Sequence, residues 1–479
     1  MQPASPGKID CSFSQVVLTI PHVISLSATS TPSQKTMYAE DKSPQSLFDR
    51  FLHSQSSGSI ILLLATITAV IWANSPWSQL YHTLSHLDIG TYFAGKQYHL
   101  TLDYWVKDGL MAIFFFVVGL EIKREILIGE LSTPRKAILP VMAAFGGAIV
   151  PALIYFAFNP SGPTASGWGI PMATDIAFAL GVLAVFGKRV PISLKVFLTA
   201  LAIVDDLMAV MVIALFYTTK ISAPALLVAM LLLAVLSWLI RHKHRTPGLH
   251  IMLILGIWIC IFLSGIHATI AGVLIAMVYP VKASIDPEDF FRVIKKRISS
   301  LEKTGLTRDS MVDNKKQFRA INQIYLAAED MIPAGIYLEQ NLHNVQAFVI
   351  LPLFALFAAG VTIDADTLQG FPGSVSLGII PGLVLGKQAG IFGFSFLVVK
   401  SGLAELSNDL KWVHIWGVSL LGGIGFTMSI FISELAFVDA AIIADAKIAI
   451  FIASILAAIA GFAVLNKTLP RAGSGGNKE

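Results

Sequence analysis

Charge is what this chain has least of. Only 13% of its 479 residues are Asp, Glu, Lys or Arg, about half the roughly 25% of an ordinary soluble protein. Cysteine is nearly missing as well. Cys11 and Cys260 are the only two, which excludes a disulfide framework and a thiolate metal site. The net charge of +4 is too small and too scattered to indicate nucleic acid. In place of charge stand apolar residues, 55% of the chain, gathered into runs of membrane-spanning length. Lipid leaves backbone polar groups no partner but their own segment, so such runs form helices. The chain therefore reads as an all-α polytopic membrane protein.

Twelve spans can be drawn, near 57–74, 102–122, 136–158, 169–187, 191–217, 222–241, 249–263, 265–280, 340–362, 374–399, 412–434 and 440–465. Basic residues mark the connections after even-numbered spans: Lys123, Arg124, Arg135 and Lys136, then Lys188 and Arg189, then Arg241, Lys243 and Arg245, then Lys295 to Arg297, then Lys400 and Lys411. The intervening connections hold almost none. Cytoplasmic loops collect Lys and Arg, so this alternation places both termini in the cytoplasm. The expected organisation is a disordered tail 1–46, a membrane part 47–281 with eight spans, a polar cytoplasmic insertion 282–337, a membrane part 338–466 with four spans, and a tail 467–479.

Within the first tail, Val16 to Ala28 is apolar but short and broken by Pro21. It makes a weak signal peptide, and a start at Met37 is the plainer reading. Residues 75–101 alternate apolar and polar around Ala94-Gly-Lys-Gln97, which predicts a small periplasmic β-hairpin. The insertion has charges at helical spacing over Phe290–Lys303 and reads as a solvated linker with a surface helix.

Two acids stand out. Asp205 and Asp206 lie side by side near the middle of the apolar run Pro191–Phe216. A carboxylate at mid-membrane costs about 2.5–3.5 kcal/mol on insertion scales. Two charged ones about 4 Å apart repel by roughly 4 kcal/mol at an effective dielectric of 20. Removing the last proton from such a pair is therefore hard, and a cation that takes the proton's place restores the balance. A pair of this kind marks an ion or proton path.

Other polar residues fall in or near spans. Thr174 and Asp175 follow Gly167, Gly169 and Pro171, which interrupt the fourth span and free backbone carbonyls for a cation. Leu421-Gly-Gly-Ile-Gly425-Phe-Thr427 interrupts the eleventh. Broken helices in the middle of two three-span groups point to inverted repeats, and the breaks should meet inside the protein. Lys387 sits mid-span among Gly382, Gly386 and Gly390, which let another helix approach. Its ammonium needs a carboxylate, Asp205 or Asp206, with Asp175 as the alternative. Glu121, Arg124 and Glu125 cluster at the end of the second span and suit an ion entrance or a pH-responsive network; Asp108 lies toward its other end. His267 reads as a lone membrane histidine, and Glu434 as interfacial.

With these residues assembled, the chain resembles the NhaA family of bacterial sodium/proton antiporters. The stretches that carry the resemblance are Phe114–Glu125, Pro171–Val182, Leu198–Asp206, Gly265–Gly272, Leu385–Lys387 and Gly425–Phe431, within 47–281 and 338–466. The resemblance implies electrogenic, pH-regulated exchange of intracellular Na⁺ or Li⁺ for extracellular H⁺ across the inner membrane, without a cofactor. Asp205 and Asp206 match the ion-binding pair, Thr174 and Asp175 the unwound crossing, and Lys387 the lysine that pairs with an Asp when the cation is absent, so that Lys387 either stabilises the empty site or carries one exchanged proton. Glu121, Arg124, Glu125, Glu339 and His267 match residues tied to pH response. The 75–101 hairpin resembles a homodimer contact. The tail, the insertion 282–337, Ala358 in place of a frequent Asn, and missing basic residues before Glu339 depart from the pattern, and they bear on regulation more than on transport. A sodium-coupled solute symporter is the alternative. An intramembrane aspartyl protease fits badly, because its two acids sit on separate helices; no enzymatic activity is expected.

Overall fold

The computed structural model describes residues 57–93, 96–218, 221–242, 244, 246–304, 315–362 and 370–470. The tail 1–46, with its apolar run and the proposed start at Met37, lies outside the described residues, as do 305–314 and 471–479. The unit 51–479 is helical almost throughout. Its apolar surface points outward: on the helix Ala223–Arg241, Leu227, Val228, Met230 and Leu231 are exposed. Meanwhile Asp, Lys, Thr and Ser side chains are buried in the centre. That inversion suits a lipid surround, which costs apolar side chains nothing and leaves bare polar groups unsatisfied.

Among the described residues, seven helices are long and apolar enough to cross a membrane, and up to nine if each of two bent pairs counts as one span. The helices Pro247–Leu263 and Thr269–Val278 are apolar but shorter. The chain is thus a multi-pass membrane protein.

The elements that position the site are α1 (Pro134–Phe158), α2 (Ile176–Ala184), α3 (Ile192–Phe216), α4 (Lys387–Lys400), α5 (Trp412–Leu421) and α6 (Phe426–Ala436). Proline opens α1, where its missing N–H is no loss. A 3₁₀ helix, Pro163–Met172, runs toward α2 and gives way to extended backbone at Ala173. It is pinned by hydroxyls: Tyr155 donates to the Thr164 carbonyl (2.6 Å), Tyr217 to that of Ser166 (2.7 Å), and Ser166 to that of Ala436 (2.8 Å).

α4 packs along α1 through glycine. A Cβ on Gly390 would overlap the Gly146 carbonyl oxygen, and one on Gly146 would overlap that of Gly390. Only two bare backbones fit at this crossing, the close approach that the small-xxx-small spacing of Gly382, Gly386 and Gly390 allows. The turn before α4, Gly382–Gly386, is π-helical. Such a bulge changes the phase of the following side chains, and here Lys387 is the first of them.

Strands Asp88–Phe93 and Lys96–Thr101 pair antiparallel, with Asp88 opposite Thr101 and Phe93 opposite Lys96. The insertion holds more order than a linker with one surface helix. Two helices, Pro287–Thr304 and Lys315–Met331, pack against each other. Leu301, Ala320 and Ala327 are buried.

Candidate functional site

The two interrupted segments meet. At one, backbone leaves the 3₁₀ helix and re-enters at α2; at the other, α5 and α6 are bent by 47° at residues 422–425. The two segments satisfy each other's loose ends. The Asp175 N–H donates to the Ile424 carbonyl (2.7 Å), the Thr174 hydroxyl to that of Gly422 (2.9 Å), and the Ser429 hydroxyl to that of Ile170 (2.8 Å). The breaks thus pair with protein rather than with lipid, as a hydrocarbon surround demands.

Asp175 sits where two helix N-termini converge. Its Oδ1 accepts from Phe178 N–H of α2 (3.1 Å), and its Oδ2 from Thr427 N–H of α6 (3.0 Å) and from the Thr427 hydroxyl. A single carboxylate therefore faces the partial positive charge of both half-helices. The second of these contacts comes from Thr427, which stands just inside the glycine break.

Lys387 answers the opposite polarity. It is 1% exposed. Its ammonium donates to Asp205 Oδ2 at 2.7 Å and to the Met172 carbonyl, at the C-terminal end of the 3₁₀ helix. Of the three possible partners, the structure selects Asp205. The Met172 carbonyl freed by the interruption goes to the ammonium.

Asp205 and Asp206 are each 2% exposed on α3. Asp205 Oδ1 and Asp206 Oδ2 are buried and have no hydrogen-bond partner among the described residues. A buried carboxylate oxygen without a donor is costly, and a proton or a small cation is what satisfies it. Thr174 lies beside Asp205, and Asp206 is within electrostatic range of Asp205, Asp175, Lys387 and Glu121. Asp175 itself has both oxygens taken by the half-helices, so the two acids of α3 carry the open valence.

Glu121, Arg124 and Glu125 stand on the helix Met111–Leu127. Arg124 bridges Glu339 of the helix Ala334–Val345 through Nε (2.9 Å) and Glu125 through a terminal nitrogen (2.6 Å). Glu125 also accepts from the Glu130 N–H (2.9 Å). Glu121 is within electrostatic range of Glu339, Arg124 and Glu125. His267 is not alone: its Nε2 is 3.1 Å from Asp108 Oδ1, and its Nδ1 is 2.8 Å from the Thr269 hydroxyl.

Glu434 is not a lone charge. Its side chain is 13% exposed, and Oε1 takes Lys107 (2.7 Å) and Lys447 (2.9 Å), while Lys107 also reaches Asp103 (2.9 Å). Sequence reading passed over Lys107 and Lys447. The signal was there, since a lone lysine inside an apolar run needs a buried acid.

Crossed, interrupted helices around a buried acid pair and a lysine define an ion-translocating membrane protein of the broken-helix class. The family model described as Na⁺/H⁺ antiporter 1 matches residues 49–465. Na(+)/H(+) antiporter NhaA 2 of Syntrophotalea carbinolica is 44% identical over 427 residues, 88% of this chain and 97% of that protein. Na(+)/H(+) antiporter NhaA of Oleidesulfovibrio alaskensis is 45% identical over 88% of this chain and 94% of its own length. That of Sulfurimonas denitrificans is 44% identical over 87% and 94%. The chain belongs to the Na⁺/H⁺ antiporter 1 family.

Proposed function

We propose that this chain is a transporter, not an enzyme, and that it exchanges intracellular Na⁺ or Li⁺ for extracellular H⁺ across the bacterial inner membrane. The observation that carries the reading is the adjacent acids Asp205 and Asp206, both buried, with Asp205 held by the buried Lys387 ammonium. Family membership and the relatives' names as Na⁺/H⁺ antiporters support it.

Facing the cytoplasm, Asp205 and Asp206 give up protons and hold Na⁺, a hard ion suited to oxygen ligands, with Thr174 supplying a further oxygen. Binding frees Asp205 from the Lys387 ammonium. Facing outward, protons displace the ion, and the protonated pair returns. Two carboxylates that titrate together against one monovalent ion make the exchange electrogenic. Asp175 acts in this scheme by fixing the crossing against which the ion sits. Arg124, Glu121, Glu125 and Glu339, with His267 and Asp108, form the pH-responsive network. Twelve crossings arranged as inverted repeats, both termini in the cytoplasm, an outward β-hairpin at 75–101 and a homodimer joined through it complete the reading.

The test is proton flux in proteoliposomes with an imposed pH gradient. Na⁺ or Li⁺, but not K⁺, dissipates the gradient, and Asp206→Asn abolishes the response while protein level and insertion are unchanged. Wild-type flux in that variant overturns the assignment.

A further inference from the structure

We propose that the paired helices Pro287–Thr304 and Lys315–Met331, together called the hairpin, rest one flank on an anionic bilayer surface, an association separate from ion exchange. Its two helices are strongly amphipathic, and both ends join apolar segments: the helix Thr269–Val278 leads in and the span Ala334–Ala358 leads out. The base is closed by backbone hydrogen bonds, Ser284 N–H to Asp330 O (3.0 Å) and Gly335 N–H to Pro280 O (2.8 Å). That closure brings the start of the first helix to the end of the second, so the two run antiparallel.

Successive residues of an α-helix turn by about 100°. Measured from the inward face of Ile294 and Leu301, Phe291 and Ile298 fall on one flank of the first helix. Measured from the inward stripe of Gln317, Ala320, Ile321, Ile324, Ala327 and Ala328, Phe318 and Tyr325 fall on one flank of the second, about 100–120° round and turned in the same sense. In an antiparallel pair, flanks of the same sense lie on the same side. All four side chains are outside the packed seam: Phe291 is 64% exposed, Ile298 44%, Phe318 56% and Tyr325 47%. Four large apolar groups with no described residues covering them form a face, not a scatter.

Charge selects the occupant. The two helices carry eight bases, Arg292, Lys295, Lys296, Arg297, Lys303, Lys315, Lys316 and Arg319, against five acids, and four of the acids, Glu288, Asp289, Glu329 and Asp330, stand at the closed base, so that beyond it Glu302 alone opposes the bases. Asp289 pairs with Arg292 from the preceding turn. An apolar aromatic flank set among basic residues is the pattern of helices that lie in the interfacial plane of a bilayer rich in anionic headgroups. The hairpin is tethered at both ends to membrane helices, so such a surface is always within reach. A partner protein or a second copy would match the apolar flank but needs acids of its own to match the charge.

The test uses the full chain with Cys11 and Cys260 replaced by Ser, carrying one nitroxide at Ile298→Cys or at Gln323→Cys on the opposite flank. In vesicles of phosphatidylcholine with phosphatidylglycerol, the label at 298 gains oxygen contact and loses contact with a water-soluble nickel chelate several-fold, while the label at 323 remains open to nickel. In pure phosphatidylcholine, or with Lys295→Gln and Lys296→Gln together, the label at 298 returns to water. Equal nickel contact at both positions in the anionic vesicles overturns the proposal. So does shielding at 298 from oxygen and nickel alike, which would mark a covering protein. The labels report depth and not flux, so the outcome stands apart from the exchange assignment.

Discussion

Among single residues, the ammonium of Lys387 and the carboxylate of Asp205 depend on each other. Breaking a buried ion pair by removing one partner costs about 3–5 kcal/mol, because the other is stranded. Lys387→Met is therefore expected to lower the thermal midpoint of the purified protein well below that of wild type. The double variant Lys387→Met with Asp205→Asn, which leaves nothing stranded, is expected to recover part of the loss. A double variant no more stable than the single would show that the pair is not coupled. The sequence announced these residues because a charge inside an apolar run has few bland explanations. It left open which acid the lysine takes, since Asp205 and Asp206 differ by one position and 100° on the helix. It also missed the partners of Glu434, two lysines that come from distant segments.

For helices and their junctions, the decisive feature is bare backbone. Gly390→Val would drive a side chain into the Gly146 carbonyl and push α4 off α1. Overpacking of this kind costs about 1–3 kcal/mol. Lys387 stands three residues before it, so lower yield and weakened Na⁺-dependent flux are expected together. Gly393→Ala, on the same helix with open space around its Cβ, serves as control and is expected to behave as wild type in both measurements. Glycine spacing made this crossing legible, and the two helix interruptions were legible from Gly167, Gly169 and Pro171 and from Gly422, Gly423 and Gly425. The π-helical turn at 382–386 was not, because a single extra residue in a turn leaves no periodic trace over so short a run. The second helix of the insertion was missed for another reason. Its buried positions, Ala320 and Ala327, are small, and the apolar contrast with its polar neighbours is weak.

On the scale of the whole molecule, the two interrupted segments share their charges and carbonyls: Asp175 serves two N-termini, and Gly422, Ile424 and Ile170 accept from the opposite segment. Cysteines at Ser166 and Ala436, where a hydroxyl already joins the segments at 2.8 Å, joined by a short bismaleimide, are expected to leave exchange intact. Loss of flux on bridging, with recovery when a cleavable linker is cut, would mean that the segments must part. Because α3 packs on α1, and α4 lies against α1 at the glycine crossing, the acids stay with this scaffold whether or not Asp205 holds Lys387. A passenger ion, once lodged, shares one rigid carriage with every group that holds it. Changing sides then consists of shifting that carriage past the remaining helices, and the seams to weaken by mutation are those along its perimeter.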